Sequence, residues 1–192
     1  MPTALGDAMD ADLVRRATRG DNAAFEALLS DVSDSMFGVA RRILGDGDLA
    51  RDALQSALLT IWRKLPHLRE PEAFEAWAYR ILVNACYAEA PRAERWRTIV
   101  RVLPLEQPAR HDEIGLVSDR DELDRAFRRL PLDQRSVVVL HLYVGLPLVD
   151  VARSLGIPQG TARSRLHYAL RSLRSEFGDA RHESHLQEGR PA

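Results

Sequence analysis

The sequence predicts an all-α protein of two small helical domains joined by a flexible linker. Apolar residues recur at the three- and four-residue spacing of amphipathic helices along most of its 192 residues. Asp, Gly and Pro stand where those patterns start and stop. Between the two patterned halves, "PLEQPARHDEIGLVSD" mixes prolines and charges with no sustained period, which reads as a linker. The boundaries that follow are residues 1–95 for the first domain, 96–118 for the linker, 119–177 for the second domain and 178–192 for a tail expected to be disordered.

A short first helix is expected around Asp12 to Arg19, closed by Gly20. From Asp21, a good N-cap, Phe25, Leu28, Leu29, Val32, Met36, Val39, Ala40 and Ile43 keep one apolar face through to Gly45. The loop "GDGD" ends that helix, and Asp48 is expected to cap the next. There Leu54, Ala57, Leu58, Ile61, Trp62 and Leu65 fall at i, i+3, i+4, i+7, i+8 and i+11, a buried stripe that Pro66 stops. After the loop "PHLREPE", with Pro71 suited to a first turn, Phe74, Trp77, Ala78, Ile81, Leu82 and Ala85 form the stripe of a third helix. Pro91 is expected to end it early. Helical spacing resumes near Asp121 through "DELDRAFRRL" and "LPLDQRSVVVLHLYV". Gly145 and Pro147 then precede "LVDVARSL", and Gly156 and Pro158 precede a long basic helix. "SVVVL" is strand-like in composition, but its place inside a helical register argues against a sheet.

The formal net charge is −1, so the overall basic balance of many nucleic-acid binders is absent. Its distribution is uneven. Residues 1–40 hold Asp7, Asp10, Asp12, Asp21, Glu26, Asp31 and Asp34 against Arg15, Arg16 and Arg19, whereas residues 137–175 hold Arg153, Arg163, Arg165, Arg171 and Arg174 against Asp150 alone. The two ends therefore present electrostatically different surfaces. Cys86 is the single cysteine, which leaves no internal disulfide or multi-cysteine metal site and reads as a small buried hydrophobe. The acidic start "MPTALGDAMDADLVRR" lacks the basic and apolar regions of a signal peptide, and no apolar run approaches the roughly 20 residues of a membrane span. A soluble, cytoplasmic protein without membrane insertion is expected.

"LVDVARSLGIPQGTARSRLHYALRSL" is a short helix, a tight glycine-containing turn and a second helix, the helix-turn-helix layout. At roughly 100° per residue, Ala162, Leu166, Ala169, Leu170 and Leu173 fall on one side of the second helix. Thr161, Ser164, His167, Tyr168 and Arg171 fall on the other, with Arg165 beside them and Arg163 and Arg174 on the flank. Such a helix buries its leucines and offers hydroxyls, an imidazole and guanidinium forks to a major groove. Arg can meet guanine O6 and N7 bidentately, Ser and Thr reach base edges or phosphates, and flanking arginines add affinity without sequence information. A nearly neutral chain can thus dock one basic helix on DNA. A solvated basic face of an ordinary bundle is the bland alternative.

Two separated stretches resemble one family. "LPLDQRSVVVLHLYVGLPLVDVARSLGIPQGTARSRLHYALRSLR" resembles region 4 of the extracytoplasmic-function sigma factors of bacterial RNA polymerase, and "LARDALQSALLTIWRKL" with "FEAWAYRILVNACYAEA" resembles their region 2. The likeness covers roughly residues 20 to 177. It implies that the first domain binds core polymerase and the minus-10 element, and that the second binds the minus-35 element through Thr161, Arg163, Ser164, Arg165, His167, Tyr168 and Arg171. It implies further that Asp52 and Gln55 meet the beta-prime clamp helices, while the beta flap is the second domain's contact on the core. Arg80, Asn84 and Tyr87, near Tyr79, match the positions that hold melted minus-10 DNA, and "PHLREPE" matches the loop that captures an extruded base, nominating His67, Leu68 and Arg69. An anti-sigma factor that wedges between or clamps the two domains is the expected regulator. Cofactors, metals and catalytic residues are not implied.

The sequence also departs from the family. Arg51 and Ser56 stand where acids are common, "APRAERWR" sets Pro91 among Arg92, Arg95 and Arg97, which remain candidates for phosphate contacts, and Tyr168 stands where Arg is frequent. Tyrosine cannot make the bidentate guanine contact, so the preferred minus-35 sequence is expected to differ from the common one. A helix-turn-helix regulator that never touches polymerase is the competing class, and the region 2 likeness argues against it. For a metalloenzyme, "RHESH" offers only His182, Glu183 and His185, in a polar tail with no supporting framework.

Overall fold

The computed structural model describes residues 11–102 and 125–188, with side chains for 11–92 and 125–176. Among the described residues every regular element is helical. The first half holds α1 (Ala11–Thr18), α2 (Asn22–Leu44), α3 (Gly47–Lys64) and α4 (Phe74–Val102), with 3₁₀ turns at Leu65–His67 and Pro71–Ala73 between the last two. In the second half residues 125–129 are helical. There follow α5 (Leu132–Val138), a π-helical turn (Val139–Tyr143), α6 (Leu148–Leu155) and α7 (Gln159–Glu188).

Local chemistry sets most of these boundaries. Asp21 caps α2 by accepting the Ala24 N–H at 3.0 Å, while its other carboxylate oxygen takes Arg16 at 2.8 Å. Gly45, at φ 71°, ends the helix with its N–H on the Arg41 carbonyl, a left-handed conformation that costs glycine nothing. The cap of α3 is Asp46, not Asp48: its Oδ1 accepts from Asp48 N at 2.9 Å and Leu49 N at 3.0 Å. Gly47 fills the first helical position, so the earlier aspartate is the one that faces the open N–H groups.

Two expectations about helix ends are corrected. Pro91 does not stop the third long helix, and α4 continues through it to Val102. Proline at an interior position costs about 3 kcal/mol, but only one backbone donor is lost, and the neighbouring Ala and Glu residues are strong helix formers. Residues 96–102, expected as linker, are therefore helical, and 103–124 lie outside the described residues. The stretch from 178 is helical as far as Glu188 rather than disordered; between Gly178 and Gly189 nothing in the sequence breaks a helix.

The first half closes over Leu28, Met36, Val39, Ile43, Ile61, Leu65, Phe74, Tyr79 and Leu82, all essentially buried. Ala50, Ala53 and Ala57 are also fully buried and let α3 approach its neighbours closely. Cys86 is buried, and that burial pushes its thiol up to about 12, as expected of an inert core cysteine. Trp62 is a correction: placed in the buried stripe of α3, it is 59% exposed, with Leu59 beside it at 46%. This helix buries Leu49, Ala50, Ala53, Ala57 and Ile61, with Leu54 and Leu58 packed partly against the core.

Residues of the second half continue this core. Val137, Val139, Leu140, Val144, Leu146 and Val151 are buried together with the first-half residues, while Leu130, Val138 and Ala169 form a smaller cluster against Leu166 and Leu173. The described residues of the two halves thus pack on each other, and the segment expected as the flexible linker between them lies largely outside the described residues. Arg135, only 2% exposed, reaches across to the Ile43 carbonyl at 2.6 Å and also donates to the carbonyls of Arg128 (2.6 Å) and Leu130 (2.9 Å). Hydrogen bonds of this kind are what makes burial of a charge tolerable. Ser154 donates to the Ala76 carbonyl at 3.0 Å. Gly38, inside α2, lies under Tyr143: an added Cβ would sit 2.9 Å from the phenol oxygen. Glycine inside a helix costs about 0.5–1 kcal/mol relative to alanine, and this close approach is the reason to accept it.

Candidate nucleic-acid interface

The helix-turn-helix is built from α6 and α7. Gly156, at φ 65°, ends α6 with its N–H on Ala152 and Arg153 carbonyls, and Ile157 N reaches back to Ala152 O at 3.0 Å, so the chain reverses within a glycine-dependent Schellman turn. Pro158 O then accepts from Thr161 and Ala162 N–H, opening α7. Ala162 and Ala169 are fully buried and Leu166, Leu170 and Leu173 partly so, while Arg163, Ser164, His167, Tyr168, Arg171 and Arg174 are exposed. That is the division of faces expected from the sequence.

Two of the nominated side chains are less open. Thr161 is half-buried, and its carbonyl accepts the Ser164 hydroxyl at 3.0 Å. Arg165 Nε lies 3.0 Å from Asp133 Oδ2 on α5, with side-chain exposures of 27% and 40%. His167 and Tyr168 stack edge to face, 5.7 Å between centroids, and present an aromatic pair beside the arginines.

In the first half, Arg80 and Asn84 are exposed one turn apart on α4, and Tyr87 is half-buried one turn further. Burial raises the Tyr87 phenol above its ordinary value, opposed by hydrogen bonding with Ser136 and by the Arg165 charge. The second domain therefore covers the end of the nominated minus-10 face. Tyr79 instead belongs to the core, its hydroxyl 3.1 Å from Ser35 Oγ and its phenol pushed up to about 12 by burial. His67 and Arg69 are exposed on the loop before α4, with Leu68 between them packed partly onto the core. Arg92 pairs with Glu89 at 3.0 Å; the side chains of Arg95 and Arg97 lie outside the described residues.

Asp52 and Gln55 are both exposed on α3. Gln55 borders a groove of about 420 Å³ between α2 and α3, lined by Phe25, Leu29, Arg51, Leu54, Leu58, Leu59 and Trp62. Exposed apolar surface of this kind marks interaction sites. Sequence reading missed it by assigning Trp62 to the core; the signal available was an apolar stripe with Leu59 beside it, wider than one helix contact fills. Among the described residues no group of His, Cys, Asp and Glu could hold a metal, and no helix is long and apolar enough to cross a membrane.

Comparisons with known proteins bear on this geometry. The model of Sigma-70 region 2 matches residues 28–97, and that of Sigma-70 region 4 matches residues 126–175. The ECF RNA polymerase sigma factor SigM of Mycobacterium tuberculosis is 35% identical over 171 residues, covering 88% of this chain and 85% of its own length. The RNA polymerase sigma-H factor of Pseudomonas aeruginosa is 29% identical, covering 85% and 91%. Among solved structures, CnrH in complex with the cytosolic domain of CnrY matches with a TM-score of 0.66 at 22% identity, covering 88% of this chain and 97% of that one. The sigma factor RpoE from Bartonella quintana, in complex with the anti-sigma factor NepR, matches at 0.62 and 24%, covering 80% and 96%. A helix-turn-helix with an outward polar face, an exposed apolar groove on the other half, and these matches over both halves lead to one conclusion: the chain belongs to the ECF RNA polymerase sigma factors.

Proposed function

We propose that this sigma factor divides its work between the two halves residue by residue. The observation that carries the reading is the outward face of α7, where Arg163, Ser164, His167, Tyr168 and Arg171 are all exposed while the alanines beneath them are buried. That face enters the major groove of the minus-35 element, with Arg165 joining it and with Arg163 and Arg174 nearer the phosphates. The beta flap of the core enzyme seats this second domain. Asp52, Gln55 and the apolar groove beside them take the beta-prime clamp helices.

Opening of the minus-10 element falls to α4 and the loop before it. Melting without ATP requires that unstacked bases find new surfaces, each stack contributing about 1–3 kcal/mol. Arg80 and Asn84 are placed to hold the separated strand, Tyr87 to stack once uncovered, and His67 and Arg69 to border the pocket of a flipped base. Catalysis belongs to the polymerase, and the chain itself is neither an enzyme nor in need of a cofactor. Its place of work is the cytoplasm, and an anti-sigma protein that grips both halves holds it inactive.

The test is to mix the protein with purified core polymerase, ask whether they co-elute, and then select from a promoter library those templates the assembly opens. Co-elution followed by strand opening is the expected result. Duplex binding without co-elution would move the chain to the class of helix-turn-helix regulators.

A further inference from the structure

We propose that Tyr168 reads the C5 methyl group of a thymine in the minus-35 element, so that one position of the site is chosen by an apolar contact instead of a guanidinium fork. On the reading of α7 as the minus-35 helix, on which this inference rests, Tyr168 stands in the middle of the outward face. Ser164 and Arg165 lie one turn before it and Arg171 one turn after, at the i−4, i−3 and i+3 positions that share a side of a helix. At 57% exposure it is an open aromatic ring set among hydroxyls and guanidinium groups.

The chemistry of the groove narrows what such a ring can meet. Guanine is read by paired donors and adenine by an amide that donates and accepts together. Tyrosine has one hydroxyl at the far end of its ring and can do neither. The thymine methyl is the apolar group that a base pair displays in the major groove, and an apolar side chain is its partner. His167 holds the ring for that contact. The two rings meet edge to face, 5.7 Å between centroids and 71° between planes, an arrangement that adds attraction beyond area burial. It also restricts the rotamers that a lone exposed tyrosine would sample, so less ordering is left for DNA to impose.

The test replaces one methyl group. A preferred minus-35 duplex is selected from a random library with the full unaltered chain, and each of its thymines is changed in turn to deoxyuridine, which keeps every hydrogen bond of the pair. Anisotropy titrations at fixed salt should find a position where affinity falls about three- to fivefold, the value of one methyl-sized group withdrawn from contact. Tyr168→Phe keeps the ring and should keep that ratio. Tyr168→Ala should reduce the ratio to less than about 1.5-fold, a coupling that a general loss of affinity would not produce. The thermal midpoint of both variants should match the unaltered chain, because the side chain is exposed. No methyl effect at any thymine, its persistence in Tyr168→Ala, or its loss in Tyr168→Phe would overturn the proposal. A chain that selects no duplex over random sequence would overturn the minus-35 reading itself, and the proposal with it.

Discussion

Replacing Arg165 by alanine decides which kind of contact the recognition helix makes. Its guanidinium pairs with Asp133 of the same half at 3.0 Å, both side chains retaining a quarter or more of their exposure. A pair so placed is partly screened by water and worth at most about 1 kcal/mol. A bidentate contact with one guanine contributes about 1–3 kcal/mol of discrimination, so DNA outcompetes Asp133 for this side chain. Arg165→Ala should therefore weaken binding to the preferred minus-35 duplex, selected from a random library, by about 5- to 150-fold. Binding to an unrelated duplex should stay within about twofold of the unaltered chain. Asp133→Ala, which frees the arginine, should tighten preferred-site binding by up to about fivefold. The assay is an anisotropy titration at fixed salt against duplexes that differ by one base pair. An equal loss on every duplex, with a salt slope lower by about one charge, would place Arg165 on a phosphate and refute the base-reading argument.

Other perturbations give separate expectations. Arg135→Met removes a buried cation from three carbonyls and should cost about 3–5 kcal/mol, read as a lower urea midpoint. Glu75 of α4 has its carboxyl raised above the ordinary 4.5, first by burial and then by Asp150 across the interface. Its protonated form is favoured by folding, so its contribution is present in full below pH 4.5 and lost as pH rises through the raised value. Glu75→Gln should accordingly stabilise the chain at pH 7 and flatten the thermal midpoint against pH just above 4.5. Trp62→Ala removes an exposed indole and should leave the thermal midpoint unchanged while weakening co-elution with core polymerase about tenfold or more, as expected for an aromatic anchor. Tyr168→Arg should shift the selected minus-35 sequence toward one additional guanine, measured by library selection.

Most of the helices could be read from the sequence because their causes are local. Asp21 and Gly45 bound α2 through contacts within four residues of themselves, and such signals survive in a linear string. The outer face of α7 was legible for the same reason: one helical turn fixes which residues share a side. Pro91 misled because its penalty is a matter of magnitude, and a single lost hydrogen bond is outweighed when good helix formers flank it on both sides. The seat between the halves left no local mark. Ile43 and Arg135 are 92 positions apart, and nothing near either residue states that one will cap the other's carbonyl. Gly38 was the nearest thing to a clue, a glycine inside a strongly patterned helix where alanine would be cheaper.

The misplacement of Trp62 follows from a different physical cause. Helical periodicity registers that a residue is apolar, and it is silent about which body covers it. On α3, Ala53, Ala57 and Ile61 are buried by the chain itself, while Leu54 and Leu58 are only partly covered and Leu59 and Trp62 stand open. The apolar arc is thus broader than the fold can use, and Gln55 and Arg51 border it with polar groups. An apolar arc in excess of what the neighbouring helices bury is costly in water unless something else covers it. Under the function proposed above that other body is the polymerase, and the width of the stripe, rather than its period, is then the signal in this segment.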